Sequence, residues 1–125
     1  MAGELILIIE DNEKNRKLAR DVLQVKGYQT IESATAEEGL KLALEKSPAL
    51  ILMDIQLPGI DGITALKQLR LEPKTKDIPV IAITASAMTY NRQTMLAEGF
   101  DGYQTKPISL KDLLGEVQRV LATAK

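Results

Sequence analysis

Residues 50–62 read Leu50-Ile51-Leu52-Met53-Asp54-Ile55-Gln56-Leu57-Pro58-Gly59-Ile60-Asp61-Gly62, and their order decides the fold. A short unbroken apolar run ends in a carboxylate, and a Pro-Gly turn leads into a helical pattern. A strand that is apolar at every position is covered on both faces, which is the signature of a parallel sheet. Two more runs of this kind flank it, Leu5-Ile6-Leu7-Ile8-Ile9 and Val80-Ile81-Ala82-Ile83. Gln29-Thr30-Ile31 and Gly102-Tyr103-Gln104 are more polar and suit the edges of the same sheet.

Helical segments alternate with these strands. Residues 12–26 place Leu18, Val22 and Val25 on one face, and Gly27 can close the helix in a left-handed conformation. Thr35-Ala36-Glu37-Glu38 has the form of a capping box, with Leu40, Ala43 and Leu44 directed inward. That helix must stop near Ser47, because Pro48 disfavours helical geometry in the residue before it. Residues 62–71 present Ile63, Leu66 and Leu69, and the segment 88–98 is a weakly amphipathic helix ending at Gly99. Ser109 can cap a last helix whose stripe is Leu110, Leu113, Leu114, Val117 and Leu121. The whole is an α/β pattern, (βα)₅, expected to form one domain over residues 1–125: a doubly wound, five-stranded parallel sheet with helices on both faces.

Composition narrows the chemistry. The 125 residues are 45% hydrophobic and 26% charged, an ordinary globular balance, and with one Phe and three Tyr the core must be aliphatic. A net charge of −1 argues against a broad surface for nucleic acid or an anionic membrane. No apolar run approaches a bilayer span, and Met1-Ala2-Gly3-Glu4 is not the start of a secretory signal, so a cytoplasmic location is expected. There is no Cys and no His. That removes thiolate metal sites, triad chemistry and the usual general base, so any metal must be held by oxygen.

Ligands of open α/β sheets bind beyond the carboxyl ends of the strands. The residues there are Glu10 and Asp11 after the first strand, Asp54 after the third, Thr84 after the fourth, and Lys106-Pro107 after the fifth. Each alone has a plainer reading as a turn, a cap or a surface charge. Four strand ends carrying them together do not. Crowded carboxylates need a cation, and with oxygen donors Mg²⁺ fits. Asp54 could then attack a phosphorus atom, with Lys106 and Thr84 meeting phosphoryl oxygens.

At these residues the chain resembles the response regulator receiver domains of the CheY-like superfamily over nearly its whole length. The stretches that carry the likeness are Leu7-Ile8-Ile9-Glu10-Asp11-Asn12, Leu52 to Gly62, Val80-Ile81-Ala82-Ile83-Thr84-Ala85 and Tyr103-Gln104-Thr105-Lys106-Pro107. The resemblance implies a flavodoxin-like strand order of 2-1-3-4-5. It implies Asp54 as phosphoacceptor, with Mg²⁺ served by Asp11, Asp54, the backbone carbonyl of Gln56, and Glu10 through water. It further implies that Lys106 meets the phosphoryl group and precedes a cis proline. Thr84 and Tyr103 would be a switch pair, with Ala85 small enough to leave the approach open.

The family is a signalling one, so no separate enzyme activity is expected beyond the domain's own phosphoryl transfer and autodephosphorylation. The run Asp11-Asn12-Glu13-Lys14-Asn15 and the segments 85–88 and 106–109 look most like DivK-type single-domain regulators and receivers of hybrid histidine kinases. Gln104, Gln56 and Ser86 are the departures, and they bear on phosphate lifetime.

Without histidine of its own, the domain would take phosphate from the phosphohistidine of a histidine kinase or histidine phosphotransfer protein, or from a small phosphodonor. The first helix, which starts in the polar run Asn12 to Arg16, is the expected docking face. With no DNA-binding module after residue 125, output is expected through a downstream protein. Three rivals are an excised hybrid-kinase receiver, a haloacid-dehalogenase-type phosphohydrolase and a nucleotide-binding module. The second wants another Asp where Gln56 stands; the third wants a Gly-rich or Ser/Thr-rich loop where Glu10 and Asp11 stand.

Overall fold

A computed structural model describes residues 3–123. Five strands, β1 (Leu5–Ile9), β2 (Gln29–Ser33), β3 (Leu50–Asp54), β4 (Val80–Thr84) and β5 (Gly102–Thr105), alternate with five helices. The helices are α1 (Glu13–Val25), α2 (Ala36–Lys46), α3 (Gly62–Leu71), α4 (Arg92–Glu98) and α5 (Leu110–Thr123). The strands pair in parallel in the order β2-β1-β3-β4-β5, which puts the two polar strands at the edges. No described helix is long and apolar enough to cross a membrane.

Successive side chains of a strand face opposite sides, and the core divides accordingly. Leu7, Ile9, Ile51, Met53 and Ala82 pack with α2, α3 and Met95 of α4 on one face. Ile6, Ile8, Leu50, Leu52, Ile81 and Ile83 pack with Ala19, Val22 and Leu23 of α1 and Leu113, Val117 and Val120 of α5 on the other. The three unbroken apolar runs are therefore the central strands, as two covered faces require.

Helix faces depart from expectation in an instructive way. Leu18 is part-exposed and Val25 is 85% exposed, and α1 instead buries Ala19, Val22 and Leu23. In α2 the buried residues are Ala36, Gly39 and Ala43, while Leu44 lies outside and Leu40 is half-buried. This helix comes so close to β1 that a Cβ at Gly39 would overlap the Ile9 side chain. Small residues face the sheet, and the large ones straddle the rim. In α5 Leu110 is likewise exposed, and Leu113, Val117 and Val120 form the buried stripe.

Helix ends follow local chemistry. Asn12, Thr35, Asp61 and Asn91 each accept a hydrogen bond from the backbone N–H three residues on. The expected capping box is only half made: Thr35 caps Glu38 N–H, but the Thr35 N–H donates to Ser33 Oγ instead of to Glu38. Gly27 has φ 92° after α1, and Ser47 turns left-handed (φ 47°) before Pro48. The helix expected from residue 88 begins at Arg92, because Asn91 takes the capping position and 87–90 form turns.

Candidate functional site

Parallel strands end on one rim, so the site is assembled by topology before any side chain is placed. Asp54 and Thr84 are the last residues of β3 and β4, Glu10 follows β1 and Lys106 follows β5. Asp54 is 3% exposed. Its loop is anchored by Ile55 N–H to the Ile83 carbonyl (2.9 Å) and Gly62 N–H to the Ile55 carbonyl (2.9 Å). The second contact demands glycine: a Cβ at Gly62 would lie 2.6 Å from the Asp54 carbonyl oxygen and 2.9 Å from Ile55 Cα.

The oxygens of Asp54 have different partners. Oδ1 accepts the Gln56 N–H at 3.1 Å, and Oδ2 accepts from Lys106 Nζ at 3.0 Å. Lys106 Nζ also lies 2.9 Å from Glu10 Oε1, an ion pair without good hydrogen-bond alignment. Glu10, as buried as Asp54, takes the Asn12 N–H on Oε2 (3.1 Å), and its own carbonyl accepts from Arg16 (2.9 Å). Arg16 is held in turn by Glu32. Carboxylate oxygens of Glu10, Asp11 and Asp54 come within 4.8 Å of one another, the first and last buried and Asp11 open to solvent.

Three acids facing one ammonium leave an excess of negative charge, with two of the acids buried. Burial is the main reason the Glu10 carboxyl is pushed up to about 7; Asp54 adds to the rise, against the contrary pull of Lys106 and the Asn12 N–H. Burial also works against the Lys106 ammonium, but its close contacts with the Glu10 and Asp54 carboxylates outweigh it and hold the group above an ordinary lysine. A rim of hard oxygen donors with unbalanced negative charge fits a divalent cation of the Mg²⁺ type.

Thr84 is fully buried, and its Oγ1 accepts the Ser86 N–H at 2.9 Å. Its carbonyl accepts the Lys106 N–H at 2.8 Å, which fixes the base of the lysine, and the Lys106-Pro107 peptide is cis. Ala85 is exposed. Tyr103 is turned into the core on the α4 side of the sheet, with its hydroxyl donating to the Tyr90 carbonyl at 2.6 Å. A cleft of about 740 Å³ between Glu4, Pro79 and Leu121 contains none of these residues.

The structure thus brings together the acids, the lysine and the threonine that the sequence reading selected. That reading missed what holds them. Arg16, counted with the docking face, braces the Glu10 loop, and Gly62 lets α3 approach β3. Glu116 of α5 accepts the Tyr103 N–H at 2.7 Å. The only advance signals were a glycine directly after a capping Asp61, and a glutamate within an apolar stripe.

Comparison with known proteins agrees with this geometry. The family described as "Response regulator receiver domain" matches residues 6–118. The polar-differentiation response regulator DivK of Brucella ovis is 41% identical over 119 residues, covering 95% of this chain and 97% of that protein. Among solved structures, the receiver domain of a Pseudomonas aeruginosa sensor histidine kinase, with a magnesium ion coordinated in its active site cleft, superposes with TM-score 0.89 at 31% identity. The match covers 98% of this chain and 100% of that one. The chemotaxis regulator CheY4 of Vibrio cholerae gives TM-score 0.87 at 26% identity, covering 95% and 99%. With both its fold and its sequence matched from end to end of such relatives, the chain belongs to the response regulator receiver domain family, whose members are phosphorylation-activated signalling domains.

Proposed function

We propose that Asp54 is the phosphoacceptor of a two-component or phosphorelay switch. The observation that carries this reading is the Lys106 ammonium set between Asp54 Oδ2 and Glu10 Oε1, at 3.0 and 2.9 Å, on a rim with three convergent carboxylates. An Asp54 oxygen forms the new O–P bond as the N–P bond of a partner's phosphohistidine breaks, and the imidazole leaves with the electron pair and takes a proton. Phosphoryl transfer of this kind depends on positioning and charge neutralisation and needs no general base from this chain.

Glu10, Asp11, Asp54 and the backbone carbonyl of Gln56 would hold Mg²⁺. When bound, the ion supplies Lewis-acid neutralisation of the charge on the transferring group. Lys106, already oriented by two carboxylates, stabilises a second phosphoryl oxygen. Thr84 uses its oxygen to accept the Ser86 N–H, which leaves its hydroxyl proton for a third. Movement of Thr84 toward the phosphoryl group is linked to the packing of Tyr103, and so to α4, β5 and α5.

The donor is a histidine kinase or histidine phosphotransfer protein docking beside α1, and the output is a contact with a downstream protein. The domain's only chemistry of its own is gaining and losing this phosphate. Both a single-domain regulator and a kinase receiver lie among the similar proteins, and the chemistry is the same in either setting.

Incubation with acetyl phosphate or phosphoramidate and Mg²⁺, followed by intact-mass measurement, tests the reading. A phosphoryl adduct should appear, vanish with chelator, and be absent from Asp54→Asn. Normal uptake by Asp54→Asn would remove Asp54 from the role.

A further inference from the structure

Tyr103 stands on β5, the edge of the sheet, so one side of its backbone meets no strand among the described residues. Two side chains occupy that side. Glu116 of α5 accepts the Tyr103 N–H at 2.7 Å, and Arg92 of α4 donates to the Tyr103 carbonyl at 3.3 Å. The two are themselves 3.5 Å apart. An acceptor and a donor, joined as an ion pair, thus fill the hydrogen-bonding places that a sixth strand would take.

The same arginine reaches the ring. The Arg92 guanidinium carbon lies 5.4 Å from the Tyr103 ring centroid, within cation–π range. The Tyr103 hydroxyl donates to the Tyr90 carbonyl, two residues before Arg92. Backbone, ring face and hydroxyl of Tyr103 are therefore all tied to the segment that opens α4.

Glu116 is rigid enough to serve as the fixed half. It is 8% exposed, and Arg119 grips it through Nε to Oε1 (3.2 Å) and Nη2 to Oε2 (3.0 Å). Its approach to β5 requires glycine at 102, where a Cβ would lie 2.8 Å from Glu116 Oε2. Arg92, by contrast, is 52% exposed and sits on a seven-residue helix whose one buried residue is Met95. One half of the clasp is anchored and the other can let go.

We propose that Arg92 is a positioning residue for Tyr103: clasped to Glu116 across the open edge of β5, it holds the ring inward before any phosphate arrives and so sets the resting bias of the switch. This rests on the reading of Tyr103 as the switch residue. Releasing Arg92 frees the ring face and a backbone carbonyl together and leaves Asp54 and Lys106 untouched. The guanidinium is specific to the role, since an ammonium can pair with Glu116 but offers no flat face to the ring.

The test is NMR of ring-labelled tyrosine in the whole chain, reading the relaxation that a soluble gadolinium chelate induces in each ring. Wild type, Arg92→Ala and Arg92→Lys are compared first without a phosphodonor. The Tyr103 ring should be protected in wild type and relax several-fold faster in Arg92→Ala, with Arg92→Lys between them. Tyr28, buried on the other face of the sheet, should stay protected throughout, which separates release of one ring from unfolding. A Tyr103 ring as protected in Arg92→Ala as in wild type, with Tyr28 unchanged, would overturn the proposal.

Adding beryllofluoride with Mg²⁺ should restore protection in Arg92→Ala. If it does not, the ring is not coupled to Asp54 and the regulatory part falls. Phosphoryl uptake by Arg92→Ala should match wild type. Loss of the adduct in wild type itself would instead sink the phosphoacceptor reading while the first comparison still judged the clasp.

Discussion

Each functional group at the rim is held by a neighbour with a different task. Asp54 is steered by the Gln56 N–H and Lys106, Glu10 by the Asn12 N–H and the Arg16 brace, and the loop between β3 and α3 by Gly62. Gly62→Ala would push a Cβ into two backbone atoms that cannot swing aside, and overpacking of that kind costs about 2 kcal/mol or more. Urea denaturation should show that loss with the m value unchanged. Asp11 is different: it is exposed and adds negative charge to a cluster already in excess. Asp11→Asn should raise the urea midpoint in chelator and weaken the stabilisation that Mg²⁺ confers. Lys106→Ala should keep most Mg²⁺ binding, seen by titration, while phosphorylation no longer changes affinity for a partner.

The acids and the lysine were legible in the sequence because their positions follow from strand ends alone. Arg16, Gly62, Arg92 and Glu116 were not, since each acts through a tertiary approach that no spacing reveals.

At the level of elements, the apolar runs announced β1, β3 and β4, because two covered faces leave no polar position to interrupt them. Helix faces were harder to read. In α2 the sheet is met by Ala36, Gly39 and Ala43 rather than Leu44, because closeness of approach, not hydrophobic bulk, decides which side turns inward. The late start of α4 has a similar origin: Asn91 caps it, and in the stretch before it Met88 is exposed while Tyr90 packs against the core from a turn. Capping should matter here in proportion to how little else holds a helix. Asn91→Ala is expected to cost about 1 kcal/mol, and amide exchange should quicken within α4 before it does in α5.

Glu116 ties α5 to β5 electrostatically. Its burial would raise the carboxyl, but the hydrogen bond from Arg119 and the Tyr103 N–H, with the charges of Arg119 and Arg92, hold it below its ordinary value of 4.5. A depressed value in the folded state means the stabilisation is complete above the unfolded value and is lost as pH falls through the folded one. The urea midpoints of wild type and Glu116→Gln should therefore differ at neutral pH and converge only below pH 4.5.

For the whole molecule, one sheet separates two clusters of charge. The rim at the carboxyl ends of the strands carries unbalanced negative charge, and the edge at β5 carries the proposed clasp around Tyr103. Concentrating acids at a rim is a local cost to stability that a bound cation removes. A ligand bound only by the folded state stabilises it by about 2.7 kcal/mol at a hundred times its dissociation constant. Mg²⁺ should accordingly raise Tm, chelator should reverse the rise, and Asp54→Asn should blunt it. Because the acids come from the carboxyl ends of two different strands, this response reports the intact fold and not a single peptide.

The central claim is that the phosphate rests on one side chain, and acyl phosphates can be located chemically. Borohydride reduction of the phosphorylated protein converts an aspartyl phosphate to homoserine, which peptide mass mapping places in the sequence. Homoserine should appear at position 54, only after phosphodonor and Mg²⁺ have both been supplied. Homoserine at position 11 or at any other acid, or a phosphorylated protein with none at 54, would contradict the account.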